Sequence, residues 1–358
     1  MKDLEIVTGI DTFTLYHVLT WDEKDKIVRT ISKLPGYRDD SGDYESEYLC
    51  YRSECFADQG IKIKVEKQGK NPWGLYVLLH PTLLLGETDR SALYQPDKNS
   101  FRRFTEEADS LLNRFKVPCK LEDMKLNRAD VTMNLVFPET QLVDAYLRIL
   151  KKSLILPHYR LDRFREEQHK AKNCKSANDH SYTQRCRSAS FFAYDKTAQL
   201  EMIDKFPASL AGKKVLRLEA QLRRKAMGKW TGKEDLDRTY KTLKALANQG
   251  KKIIRWYLSR MQQCRGDYLR YEDAMSVIAG VKSGKMRDRM AYLLRKTSDS
   301  RDLTSALEKL KKKYGLKSSQ LNRILRRFQK LGISPITLPN AGELAALPPL
   351  EKIIRKIR

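Results

Sequence analysis

The sequence predicts an α+β protein: a mostly antiparallel sheet with helices on one face, followed by a basic, all-helical C-terminal region. Three observations predict this. First, three segments alternate with the two-residue period of a strand. In KKVLRLEAQLRR, Leu216, Leu218, Ala220 and Leu222 point one way, and Arg217, Glu219, Gln221 and Arg223 the other. In LNRADVTMNLVF, Ala129, Val131, Met133 and Leu135 oppose Arg128, Asp130, Thr132 and Asn134; in FFAYDK, Tyr194 and Lys196 share a side with Ser190 and Phe192. Second, helical spacing over 101–115 and 142–154 brackets the Asp130 strand. Third, the chain beyond Trp230 has helical periodicity and no convincing strand, which divides it into residues 1–230 and 231–358.

In chain order, a short strand is expected near Leu4–Val7, then a helix over 21–34 stopped by Pro35 and Gly36. Alternation at Ile61, Ile63 and Val65, a turn rich in Gly, Asn and Pro, and alternation at Leu75, Val77 and Leu79 predict a hairpin. His80 ends its second strand and is read as a hydrogen-bonded end residue outside any site. Residues 161–187 are polar and charged, a solvated loop or a basic flap over a phosphate backbone. In the C-terminal region, the stripe Leu303, Ala306, Leu307, Leu310, a turn at Gly315, and the stripe Leu321, Ile324, Leu325, Phe328 predict two helices in a helix-turn-helix arrangement. The second presents Asn322, Arg323, Arg326 and Arg327 on its polar sides. Pro335, Pro339, Pro348 and Pro349 favour an arm or a docking segment over a continuous helix at the end.

A chain of 358 residues with 41% hydrophobic residues buries a sizeable core, and its net charge of +25 points to a polyanion partner. No stretch approaches the ~20 apolar residues of a membrane span, so nucleic acid is favoured over membrane. The N-terminus lacks a secretory pattern, giving a cytoplasmic expectation. Six scattered cysteines without a C-x-x-C pair argue against zinc ribbons and disulfide frameworks. His158, His169 and His180 lack the spacing of a histidine metal cage.

The polar sheet face offers what phosphodiester transfer to a side chain needs: an oxygen nucleophile, cationic charge for the phosphate, and stabilisation of the leaving oxygen. Asp130 and Glu219, on different strands but facing one way, suit a hard divalent cation such as Mg2+ or Mn2+. The residues alone leave open the alternative that Asp130 pairs with Arg128 or Arg217, and Glu219 with Arg223, as surface ion pairs.

The ordered trio NRAD at 127–130, FFAYDKTAQLE at 191–201 and VLRLEAQLRR at 215–224 resembles the three motifs of the filamentous-phage replication initiators, the gene II protein family, with the RstA-type initiators of the cholera-toxin phage most alike. The likeness spans roughly residues 61–224; beyond that it rests on composition and position. It implies a rolling-circle nicking domain that cuts one strand of supercoiled double-stranded origin DNA, links its 5′ end to tyrosine, leaves a 3′-hydroxyl primer and later circularises the displaced single strand. It also implies host helicase and DNA polymerase as partners, in the cytoplasm of a bacterial host. Carried over by motif, Tyr194 is the nucleophile, Lys196 neutralises the scissile phosphate, and Asp130 and Glu219 are the acidic positions. Related plasmid initiators place a tyrosine before a basic-serine segment, which makes Tyr182, ahead of Arg185, Arg187 and Ser188, the second nucleophile candidate. Arg128, Arg185, Arg187, Arg217 and Arg223 on the sheet, with Arg323, Arg326 and Arg327, are the expected DNA contacts. The rival expectation is a non-enzymatic DNA-binding regulator whose helix-turn-helix is the working part.

Overall fold

The structure, a computed structural model, describes residues 4–42, 47–138, 141–161, 181–232, 234–262, 266–300, 302–340 and 344–356. The segment expected as a solvated loop or a basic flap falls mostly outside them, as do His169 and His180. Its centre is a ten-stranded sheet in which every neighbouring pair runs antiparallel. In chain order the strands are β1 (Glu5–Leu19), β2 (Tyr37–Asp39), β3 (Tyr48–Ser53), β4 (Ile61–Gln68), β5 (Trp73–Leu79), β6 (Lys125–Phe137), β7 (Arg160–Leu161), β8 (Ser181–Arg185), β9 (Ala189–Asp195) and β10 (Lys214–Arg223). Their spatial order is β2-β3-β4-β5-β1-β6-β10-β9-β8-β7, so the three motif strands β6, β10 and β9 are consecutive neighbours.

The strand expected near Leu4–Val7 is far longer. β1 runs 15 residues through the middle of the sheet, and its pairing with β6 shifts register between Ile10 and Phe13. That bulge breaks the alternation a sequence reading depends on. It also lets two successive side chains, Asp11 and Thr12, reach the same face of the sheet, which a regular strand forbids.

One face carries the apolar residues Phe13, Leu15, Val65, Leu75, Val77, Val131, Met133, Leu218 and Phe191, all buried. Helices α1 (Trp21–Ile31), α3 (Lys98–Arg114) and α4 (Gln141–Lys151) cover it; α2 (Pro81–Leu84) is a single turn. Phe104 of α3 meets Phe13 edge to face at 5.8 Å. Helices α7 (Thr239–Asn248) and α8 (Gly250–Met261) lie on the same face, against β1, β6 and β10, and Tyr257 of α8 stacks on Phe191 at 5.1 Å. The division expected at residue 230 is therefore not a division of packing, because the sheet needs helices from beyond it to close its core.

The remaining helices are α5 (Lys196–Met202), α6 (Arg224–Thr231), α9 (Tyr271–Ala279), α10 (Gly284–Asp299), α11 (Leu303–Tyr314), α12 (Ser318–Lys330) and α13 (Leu350–Lys356). α11 ends on Gly315 in the left-handed conformation (φ +61°), where a side chain would be strained, and α12 follows. Leu303, Ala306 and Leu310 of α11, and Ile324, Leu325 and Phe328 of α12, are buried as their spacing requires, while Arg323 and Arg326 are exposed. Two two-residue strands, β11 (Tyr268–Leu269) and β12 (Ala346–Leu347), pair within a region read as strand-free. The proline-rich end docks: Tyr146 donates to the Pro348 carbonyl at 2.9 Å, and Arg255 of α8 pairs with Glu351 at 2.8 Å. Among the described residues no helix is long and apolar enough to cross a membrane.

Candidate active site

The polar face of β9, β10 and β6 is set by register. Tyr194, Arg217 and Asn134 form one row across the three strands; Phe192, Glu219 and Thr132 form the next; Ser190, Gln221 and Asp130 the third. With strands about 4.8 Å apart, Glu219 is the diagonal neighbour of both Tyr194 and Asp130. Tyr194 donates from its hydroxyl to Glu219 Oε2 at 3.4 Å. Asp130 Oδ2 accepts from Thr12 and from Arg128 Nη2 at 3.0 Å, while its Oδ1 is buried and makes no hydrogen bond of normal geometry, although the Gln221 amide lies beside it.

This face is less open than its alternation suggests. Residues 91–95 cross it, held by the Asn134 side chain, which donates to the Ser91 carbonyl at 2.8 Å. Gly9 permits the crossing, since a Cβ there would sit 2.7 Å from the Tyr94 carbonyl oxygen. Beside them Val136, Val215, Leu200 and Leu210 form a small second core that seats α5.

Roofing has changed the role of Arg217, expected to touch DNA. It is fully buried, donating to Asn134 Oδ1 at 2.8 Å, Asp11 Oδ1 at 2.9 Å and the Ser91 carbonyl at 2.7 Å. No backbone phosphate reaches it; it organises the site and lies against the Tyr194 hydroxyl. Lys196 is also placed differently from the strand position expected. β9 ends at Asp195, whose carboxylate caps α5 by accepting from the Ala198 amide at 3.0 Å. Lys196 is the first residue of that helix, yet its buried side chain still feels Arg217, Asp11 and Glu219.

Tyr182 is a correction. It pairs with Ala193 rather than Tyr194, so its ring lies on the helix side of the sheet, 6% exposed and hydrogen-bonded with Gln184. A strand's two-residue period puts Tyr182 and Tyr194 on opposite faces, and they cannot alternate at one phosphate. Arg128, Arg185 and Arg223 do share the Tyr194 face, and Arg187 is exposed in the turn between β8 and β9.

The charges are crowded enough to alter protonation. Burial, then the charges of Asp130 and Asp11, push Glu219 up to about 8, and burial also raises Asp130 against the pull of Arg128. Burial and the Arg217 charge bring Lys196 down to about 8. Burial raises Asp11 too, but Arg217, His80 and Lys196 outweigh it and hold its carboxyl below the ordinary range. The Tyr194 phenol is driven well up, chiefly by burial of its hydroxyl, although part of the ring stays in contact with solvent.

Two residues here were missed by the sequence reading. Asp11 gave no motif signal because the bulge hides it. His80, by its sequence position only the end residue of a strand, has its Nε2 3.7 Å from Asp11 Oδ1 and its Nδ1 3.1 Å from the Thr82 hydroxyl. Burial keeps its pKa down, which favours the neutral ring.

Among the described residues no three His, Cys, Asp or Glu side chains gather as a metal cage. Asp130 and Glu219 nonetheless fit a divalent cation shared with substrate: both are carboxyls raised by burial, and Asp130 Oδ1 lacks a proper partner. From Arg128 the face continues into a cleft of about 470 Å3, lined by Arg52, Lys62, Lys64, Arg128 and Arg223 against only Glu54 and Glu66. No family model and no curated protein matches the chain.

Proposed function

We propose that this protein nicks and rejoins DNA by tyrosine transesterification, as the rolling-circle replication initiator of a filamentous phage. The observation that carries the reading is the Tyr194 hydroxyl 3.4 Å from Glu219, whose carboxyl feels the charges of Asp130, Arg217 and Lys196, on a sheet face that continues through Arg128 and Gln221 into a basic cleft. In the proposed step Tyr194 Oη attacks the phosphorus, the phenol proton passes to Glu219 in the ionised form it reaches as pH rises through about 8, the phosphorus–O3′ bond breaks, and the 3′ oxygen departs as a hydroxyl with a proton from water. The 5′ phosphate stays on Tyr194, and attack by another 3′-hydroxyl reverses the exchange. Lys196 places positive charge beside the phosphate. Arg217, locked by Asp11 and Asn134, steadies the phenolate as it forms. Mg2+ or Mn2+ held by Asp130 and Glu219 would supply Lewis-acid stabilisation of the phosphate charge.

In this reading the basic cleft holds single-stranded origin DNA, and α12, through Arg323, Arg326 and Arg327, reads the duplex as the second helix of a helix-turn-helix. Host helicase and polymerase would extend the primer. The test is incubation with supercoiled origin plasmid and Mg2+, followed by a denaturing gel. Wild type is expected to form a 5′-linked protein adduct and Tyr194→Phe to bind DNA without one. An adduct that persists in Tyr194→Phe overturns the assignment; salt-sensitive binding with the plasmid left intact favours a non-enzymatic regulator.

A further inference from the structure

The helical region carries a second cluster of basic side chains, on helices other than α12. On α10 and α11, Tyr292 and Tyr314 pack edge to face at 5.6 Å and 88°. Four cations surround the two rings. Lys313 Nζ lies 4.3 Å from the Tyr292 centroid and 5.4 Å from that of Tyr314; Arg295 and Lys296 lie 5.9 and 6.0 Å from Tyr292; Arg289 lies 5.7 Å from Tyr314. Among the described residues one acid pairs with this group, Asp299, at 3.6 Å from Lys296. Arg289 Nε is buried without a hydrogen-bond partner.

Four like charges held this close repel one another, and ring quadrupoles offset only part of that cost. The arrangement has a surplus of positive charge in a fixed array, which an anion of matching spread would relieve. We propose that this α10–α11 surface is a docking site for the phosphate backbone of duplex DNA, an inference that rests on the reading of the chain as a DNA-acting protein.

Two features choose duplex backbone over the other polyanions. Single strands are gripped by bases stacking on free aromatic faces, and here cations occupy the ring faces. An anionic membrane is met by an apolar helix face turned outward, whereas Met290, Leu293 and Leu294 of α10 are all buried. The contact is then to phosphates rather than bases, so it supplies affinity and orientation without sequence preference. It would hold flanking duplex while the cleft handles the cut strand.

The experiment is anisotropy of the full chain on a random-sequence duplex across a salt series, comparing wild type, Lys313→Ala/Arg295→Ala, and the charge-preserving Lys313→Arg. Both truncated side chains are exposed, so the unfolding midpoint should not move. The slope of log K against log[salt] is expected to fall by about 1 to 2 in the double variant, since each phosphate contact contributes about 0.9, and to be retained in Lys313→Arg. An unchanged slope overturns the proposal. So does a loss confined to a single-stranded probe of equal length, or to anionic vesicles with duplex binding untouched. Nicking is read separately through the covalent adduct, so failure of that activity and failure of this surface are distinguishable.

Discussion

Replacing Glu219 with Gln removes a carboxyl that the fold holds protonated, and the effect on stability should depend on pH in a defined direction. In the folded chain Glu219 is pushed from its ordinary 4.5 up to about 8, mainly by burial and then by Asp130 and Asp11. Below pH 4.5 both folded and unfolded chains carry the proton, and Gln mimics that neutral form at similar size. Between about pH 4.5 and 8 the unfolded chain releases its proton while the folded chain keeps it, so wild type loses stability as pH rises; above 8 the loss levels off. At about 1.4 kcal/mol for each tenfold change in proton affinity, the full window amounts to on the order of 5 kcal/mol. Glu219 is only 9% exposed, so solvent screening removes little of it. Urea unfolding of wild type and Glu219→Gln in chelator, from pH 5 to pH 8, should show the variant gaining several kcal/mol over wild type across the series. Adding Mg2+ at pH 8 should stabilise wild type and not the variant. A stability difference that stays flat with pH would refute the picture of a buried, proton-holding carboxyl pair.

Two other substitutions probe the same face. Arg217→Lys keeps the charge but loses the forked donors that bind Asn134, Asp11 and the Ser91 carbonyl, and should cost about 1–3 kcal/mol in chemical denaturation for each buried acceptor left unsatisfied. Tyr182→Phe should keep the DNA adduct and lose only about 1 kcal/mol of stability from its hydrogen bond with Gln184; an abolished adduct would return Tyr182 to the site.

Much of the site was legible in the sequence because strand alternation is a local property. The period-two pattern of 126–137 and 213–224 puts Asp130, Glu219, Arg128 and Arg223 on one face, and the structure keeps them there. The stripes of α11 and α12 and the Gly315 turn were legible for the same reason. What failed was non-local. Asp11 was invisible because a bulge is defined by the partner strand, not by the chain that contains it. His80 carries no local sign of its role because its neighbour Asp11 lies far away in sequence. Arg217 looked like a DNA contact because its strand position says which face it points to, not that residues 91–95 roof that face.

Periods and faces follow from the chain alone, since each depends on residues a few positions apart, and so does the excess of positive charge, a plain sum over side chains. Tertiary structure alone decided the order of the strands, and with it that Glu219 stands between Tyr194 and Asp130 while Tyr182 turns to the opposite side. It also decided which charges are dry. Protonation follows burial and neighbouring charge, and both arise only when distant segments close over one another.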